Sequence, residues 1–171
     1  MGVMREHELV TTLWLPRTPE QIFPFFADAG NLDAITPPWL NFRIRTPLPV
    51  EMKAGARLEY SIRLHGIPIR WRTNIAAWSP PFMFVDEQVS GPYRLWHHTH
   101  LFEPSNGGTL CTDRVRYAHW GGPLVERWFV RPDVERIFEY RRRRLLELFG
   151  DATTSPDAAV TPPARLAAAS T

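Results

Sequence analysis

His98 and His100 stand two residues apart inside Trp96-His97-His98-Thr99-His100-Leu101-Phe102. In an extended chain alternate side chains point to opposite faces, so both imidazoles share a face with Trp96 and Phe102. Tyr93, Leu95, His97, Thr99 and Leu101 take the other face. The bulk of the aromatics makes the histidine set the inward one. The stretch from Thr109 to Tyr117 alternates in the same way. Thr109, Cys111, Asp113, Val115 and Tyr117 oppose Leu110, Thr112, Arg114 and Arg116, and the two arginines mark the second set as wet. A buried carboxylate is costly unless paired, and an imidazole is its natural partner. Such a pair can move protons near neutral pH, so acid/base chemistry is the first expectation for Asp113 with His98 or His100. The same side chains are metal-ligand types. Histidines two apart recur by chance, however, and the spacing alone assigns no metal. The plainer alternative is that these groups hydrogen-bond one another and satisfy a partly polar core.

Other candidates are weaker. Cys111 is the one cysteine; it excludes an internal disulfide and reads as a small buried hydrophobe rather than a nucleophile. No Gly-x-Ser-x-Gly elbow and no phosphate-cradling glycine loop occurs, so no cofactor is expected. On residues 82–90 two sets compete for the interior: Phe82, Phe84, Asp86 and Gln88 against Met83, Val85 and Val89. Alternation alone leaves that choice open. Arg141-Arg142-Arg143-Arg144 points around a whole helical circumference and is no single basic face. Only Arg141 falls in an apolar stripe, where it can pair with Asp113 or Asp86 or meet an anionic ligand head.

The elements that must position these residues follow from pattern. Residues 5–15 read as a strand stopped at Pro16. Thr18-Pro19-Glu20-Gln21 opens a helix with an N-cap, a proline in the first turn and a capping-box glutamine. A second short helix is expected over 31–36, before Pro37-Pro38. Trp39–Arg45, Leu58–Leu64 and Ile67–Ile75 alternate as strands, with a tight turn at His65-Gly66. Residues 82–90, 93–103 and 109–118 complete an antiparallel meander. Val130, Val134, Ile137, Phe138, Arg141, Leu145 and Leu148 recur at helical steps, so 123–149 reads as a long amphipathic helix with a kink or fresh start at Pro132. The 151–171 stretch, rich in Ala, Thr and Pro, reads as a disordered tail, leaving one domain over 1–150. The α+β order predicts a curved seven-stranded antiparallel sheet wrapped round the C-terminal helix, with a cavity between them.

The composition agrees. The chain has 171 residues, 44% hydrophobic and 22% charged, with a net charge of +2. That is a single globular domain with too little charge excess for an electrostatic nucleic-acid binder. No run is apolar enough for an integral membrane segment, and the polar N-terminus lacks a signal-peptide core, so a cytoplasmic location is expected.

Five stretches resemble the START-like helix-grip superfamily (SRPBCC), in particular its polyketide cyclase/dehydrase group and an uncharacterised bacterial ligand-binding subfamily. They are Leu32–Leu40, His65–Thr73, Phe84–Gln88 with Gly91-Pro92-Tyr93, Trp96–Phe102 and Gly108–Tyr117. The likeness spans about residues 5–149 and implies a helix-grip fold around a ligand cavity. Pro132 departs from the uninterrupted helix of that pattern. By analogy with the family, Asp86 and Gln88 turn inward. Tyr60, Trp71, Trp96 and Phe102 then supply cavity walls. Asp86, Gln88, His98, His100, Asp113, Tyr117 and Arg141 supply convergent polar groups. The resemblance implies a small apolar or amphipathic ligand, with a His–Asp cyclase or dehydratase as the alternative. The two short helices are the candidate gate.

Overall fold

The computed structural model describes residues 5–150; the stretch read above as a tail lies outside the described residues. Strand β1 (His7–Leu15) is followed by helix α1 (Pro19–Ala27). The Thr18 amide donates to Gln21 Oε1 at 3.0 Å, the reach-back half of the expected capping box. Ile22, Phe23 and Phe26 form the buried stripe of α1. The second short helix is a 3₁₀ segment over Ala29–Ile35, with Asp28 accepting from the Gly30 amide at 2.8 Å. A further 3₁₀ turn occupies Pro38–Leu40, and Asn41 turns left-handed at φ 45°. That turn overrides the alternation expected from Trp39, and strand β2 shrinks to Arg43–Ile44.

The rest of the sheet is β3 (Arg57–Leu64), β4 (Ile67–Ser79), β5 (Met83–Ser90), β6 (Leu95–Ser105) and β7 (Gly108–Ala118). The seven strands lie in the order β1-β7-β6-β5-β4-β3-β2, and every neighbouring pair is antiparallel. Two turns carry consecutive positive φ angles, His65-Gly66 and Asn106-Gly107. This is the type I′ geometry whose twist matches that of the flanking strands. Register shifts in β4 between Arg72 and Thr73 and between Ile75 and Ala77 add local twist and bend to the sheet.

The C-terminal helical run starts at α2 (Pro123–Val125), widens to a π turn over Glu126–Val130 and continues as α3 (Arg131–Phe149). The sequence places the irregularity correctly and the structure shows its form. Pro132 has no N–H to give, and its ring crowds the carbonyl four residues back, so the preceding turn opens. Glu126 is thereby buried, while Leu124, Trp128 and Phe129 stay exposed. No helix among the described residues is long and apolar enough to cross a membrane.

Packing plugs both ends of the grip. At one end α1 drives Phe23 and Phe26 against Phe84, Phe102 and Leu145. At the other, Leu9, Val115 and Tyr117 pack on Val134 and Phe138 of α3. The middle is left open.

Candidate functional site

That opening is a cavity of about 180 Å³ between the sheet and α3. Tyr60, Trp71, Tyr93 and Trp96 make its aromatic wall. Tyr60 stacks on Trp71 with ring centres 5.8 Å apart, and Trp71 meets Trp96 edge-on at 5.3 Å. Leu32, Ile35, Pro37 and Leu40 close another side from the 3₁₀ segments and their link, and Ile137, Phe138 and Arg141 face it from α3.

One patch of the lining is polar, and strand register builds it. Asp86 of β5 lies opposite His98 of β6, and His100 lies opposite Asp113 of β7. His98 Nε2 meets Asp113 Oδ1 at 2.9 Å. His100 Nε2 meets Asp86 Oδ2 at 2.7 Å. Arg141 reaches down from α3: its Nε donates to Asp113 Oδ2 at 3.0 Å, and its Nη2 to Asp113 Oδ1 at 3.3 Å and to His100 Nδ1 at 3.1 Å. The guanidinium can only donate, so His100 Nδ1 accepts and Nε2 carries the proton toward Asp86. His98 Nδ1 is left 3.4 Å from Asp86 Oδ2. Phe84 stacks on His100 with ring centres 3.9 Å apart, fixing that imidazole from the side.

The electrostatics follow from burial and partners. Burial alone would raise the Asp113 carboxyl, but the Arg141 charge and the two imidazoles against it outweigh burial and hold the group well below the usual carboxylate range. Asp86 is also lowered: burial opposes this, while the charge on His98 and the hydrogen bond from His100 prevail. Burial, then the neighbouring His100, push His98 below its ordinary 6.5 against the pull of both carboxylates. Two carboxylates, two imidazoles and one guanidinium thus share one buried cluster. The facing pair His98 Nδ1 and Asp86 Oδ2 can take up one proton between them.

Tyr60, Trp71, Asp86, Trp96, His98, His100 and Arg141 all line the cavity. Asp113 joins the polar cluster from behind the imidazoles and is not part of the lining. Three expected residues serve elsewhere. Gln88 braces the turn after β5: its Nε2 donates to the Tyr93 carbonyl at 2.7 Å, and its Oε1 accepts from the Tyr93 amide at 3.2 Å. A Cβ on Gly91 would come within 2.4 Å of that oxygen, so the brace needs glycine there. Phe102 is inward but lies in the aromatic plug under α1. Tyr117 donates to Glu126 Oε1 at 2.8 Å and seals the opposite end.

Tyr93, assigned above to the outer face, lines the cavity. β6 begins only at Leu95, so strand alternation does not extend back to it. Glu126 was missed as well: a buried acid held by Tyr117 and by His119 Nε2 at 2.9 Å. Its sequence signal was a lone acid just before an exposed aromatic run, visible only once the π turn is known. Cys111 is buried and its thiol is pushed up to about 12, first by burial, which removes it as a nucleophile.

No family model matches the sequence. No curated protein matches it either. Solved structures do. The aromatase/cyclase Zhui from Streptomyces sp. R1128 superposes with a TM-score of 0.68 at 12% identity, covering 84% of this chain and 93% of that one. The major latex-like protein 151 of Panax ginseng gives 0.61 at 10% identity, covering 85% and 99%. Protein CV1439 from Chromobacterium violaceum gives 0.65 at 12% identity, covering 84% and 98%. At these identities the likeness is one of architecture, and the chain has the helix-grip fold.

Proposed function

We propose that this chain binds one small, largely apolar molecule with a polar end, held between the sheet and α3. The observation that carries this reading is the unfilled, aromatic-walled cavity itself, in an interior that would otherwise pack solid. An apolar cavity of roughly 150 Å³ is enough to take up benzene. A space of about 180 Å³ therefore suits a one- or two-ring compound or a short acyl chain. Trp71 and Trp96 supply apolar contact, and His98, His100, Asp86 and Arg141 orient the polar end. The 3₁₀ segments over Ala29–Ile35 and Pro38–Leu40 are the gate in this reading, because they cover the cavity with single turns rather than with sheet. The test is a tryptophan-emission titration against fatty acids and polyphenols, with native mass spectrometry of freshly purified protein. Saturable emission change in wild type, with weaker affinity in Trp96→Ala, is the expected result. No saturable response to any compound and no co-purified mass overturns the reading.

One observation favours a second reading, an acid/base enzyme of the cyclase or dehydratase kind. His98 and Asp86 both face the cavity, and their opposed atoms can take up and return a proton beside a bound substrate. One of the fold neighbours is an aromatase/cyclase. His98→Ala would then abolish product while leaving binding largely intact. A carrier would change affinity and show no product in any variant.

A further inference from the structure

The polar cluster is short of positive charge. Asp86 and Asp113 share one permanent cation, Arg141, and all of these side chains are largely buried. Asp86 Oδ2, His98 Nδ1 and His100 Nε2 converge on one another. The carboxylate oxygen is 3.4 Å from the first nitrogen and 2.7 Å from the second, and ligand atoms of the three residues all lie within 4.8 Å. Around a tetrahedral ion with bonds of about 2.0–2.1 Å, ligand atoms sit about 3.3 Å apart. The observed distances bracket that value, and small side-chain rotations close the difference.

What surrounds the three residues is the stronger argument. Ligating histidines characteristically give their second ring nitrogen to a carboxylate, which fixes tautomer and orientation. Here Asp113 Oδ1 lies 2.9 Å from His98 Nε2, which it already orients, and 3.1 Å from His100 Nδ1, where it is placed to do the same once Nδ1 is protonated. Arg141 pins that carboxylate with two hydrogen bonds. Asp86, His98 and His100 line the cavity while Asp113 stands behind them, which is the order of an inner ligand shell and its support. All four residues lie on adjacent strands of one sheet, the rigid framework such sites need.

We propose that Asp86, His98 and His100 bind one divalent first-row transition-metal ion, Zn²⁺ or a chemical equivalent, with an open coordination position facing the cavity. Two imidazoles and one carboxylate suit this class and not the all-oxygen shells of Mg²⁺ or Ca²⁺. On binding, His100 changes tautomer. Its one ring proton moves from Nε2 to Nδ1 by exchange with water, with no net proton released; Nδ1–H then donates to Asp113 Oδ1, and Arg141 keeps only Asp113. A second group, His7, His119 and Glu126, offers ligand types at similar spacing. Its His119 Nδ1 already accepts from the Gly121 amide at 3.0 Å, so Nε2 carries the ring proton; neither nitrogen is open.

The experiment titrates chelator-stripped protein with Co²⁺ and follows visible absorption. One equivalent should give saturating ligand-field bands that Zn²⁺ displaces. His98→Gln and His100→Gln should lose them. Asp113→Asn, which keeps all three ligands, should weaken affinity by about 10–100-fold. His97→Gln, on the other face of β6 and 2.8 Å from Glu87, should leave the titration unchanged. Nitrogen-edited NMR of wild-type imidazoles with Zn²⁺ covers the case in which a variant fails to fold. His98 Nδ1 and His100 Nε2 should shift, and His7 and His119 should not. Absence of stoichiometric uptake, or uptake that leaves those two nitrogens unmoved, overturns the proposal. No organic ligand enters this test, so its failure leaves the binding of a small apolar molecule standing.

Discussion

Arg141→Met isolates the charge balance of the cluster. The guanidinium makes two hydrogen bonds to Asp113 and one to His100, and its side chain is only 11% exposed against 16% for Asp113. It also lies over the Phe26 ring, 5.3 Å from the centroid. Methionine preserves most of the apolar stem, so the loss is chiefly that of the charge. Removing one partner of a buried pair costs about 3–5 kcal/mol, because the other charge is left uncompensated. Against a typical domain stability of about 5–15 kcal/mol this is a large fraction. Urea unfolding at pH 7.5 in the presence of chelator measures it. Arg141→Met with Asp113→Asn removes both charges, and the pair should be less destabilised than the sum of the singles by about 0.5–3 kcal/mol. Lowering the pH should narrow the gap between Arg141→Met and wild type, since protonation of Asp113 relieves the same stress. A single-variant cost below about 1 kcal/mol with additive behaviour in the double refutes the buried-cluster reasoning.

Acid should unfold the chelated protein in two steps. His7 and His98 are held below 6.5, in both cases first by burial, so the unfolded chain binds their protons more readily and stability falls as pH drops through that value. Asp86 and Asp113 are held below 3.8, so their contribution persists above that value and is lost as pH falls through their lower native values. A pH series of urea midpoints checks this, and a gain in stability below 6.5 contradicts it. Tyr117→Phe should cost about 1.5–3 kcal/mol by removing a hydrogen bond to the buried Glu126 carboxylate, yet leave ligand affinity unchanged, because Tyr117 does not line the cavity. Gly108→Ala should destabilise by about 1–3 kcal/mol or more, because its Cβ would come within 2.2 Å of the Leu15 carbonyl, a backbone atom that cannot swing aside. Thermal melts separate that outcome from a neutral substitution.

Where strands are long and one face is buried, the sequence reads directly into three dimensions. Trp96, His98, His100 and Phe102 share a face because the period of two holds over all of β6. Asp113 and Arg141 meet because a strand and a helix each present an apolar stripe to the same interior. Legibility stops at element ends. Tyr93 lies beyond the first residue of β6, so its side chain obeys the turn and not the pleat. Gln88 falls after the register shift in β4, where its amide finds backbone partners five residues on. Leu40 alternates with Phe42 and Ile44 on paper, but the two prolines just before Trp39 favour a continued turn. Phe102 and Tyr117 were placed on the correct face. Whether an inward side chain meets a hollow or a plug depends on which helix arrives above it, and strand periodicity carries no information on that.

This division has a consequence for how the site works. The polar groups sit on three adjacent strands, β5, β6 and β7, whose ladders hold them to fixed separations. The apolar cover comes from 3₁₀ turns and from one helix whose entry is a widened turn. Short 3₁₀ pieces have poor hydrogen-bond geometry and open at low cost. In the binding reading proposed above the polar groups therefore stay positioned while the cover admits the ligand, and a ligand's fit to the aromatic wall should govern affinity far more than its contact with the cluster. The cluster instead discriminates. One carboxylate in the lining and a second behind it, against one guanidinium, disfavour an anionic head, unless an added proton or a metal ion first supplies positive charge. Carboxylate-bearing and neutral analogues of the same ring system should thus separate in affinity. The gap should widen as pH rises in chelated protein and close when Zn²⁺ is bound.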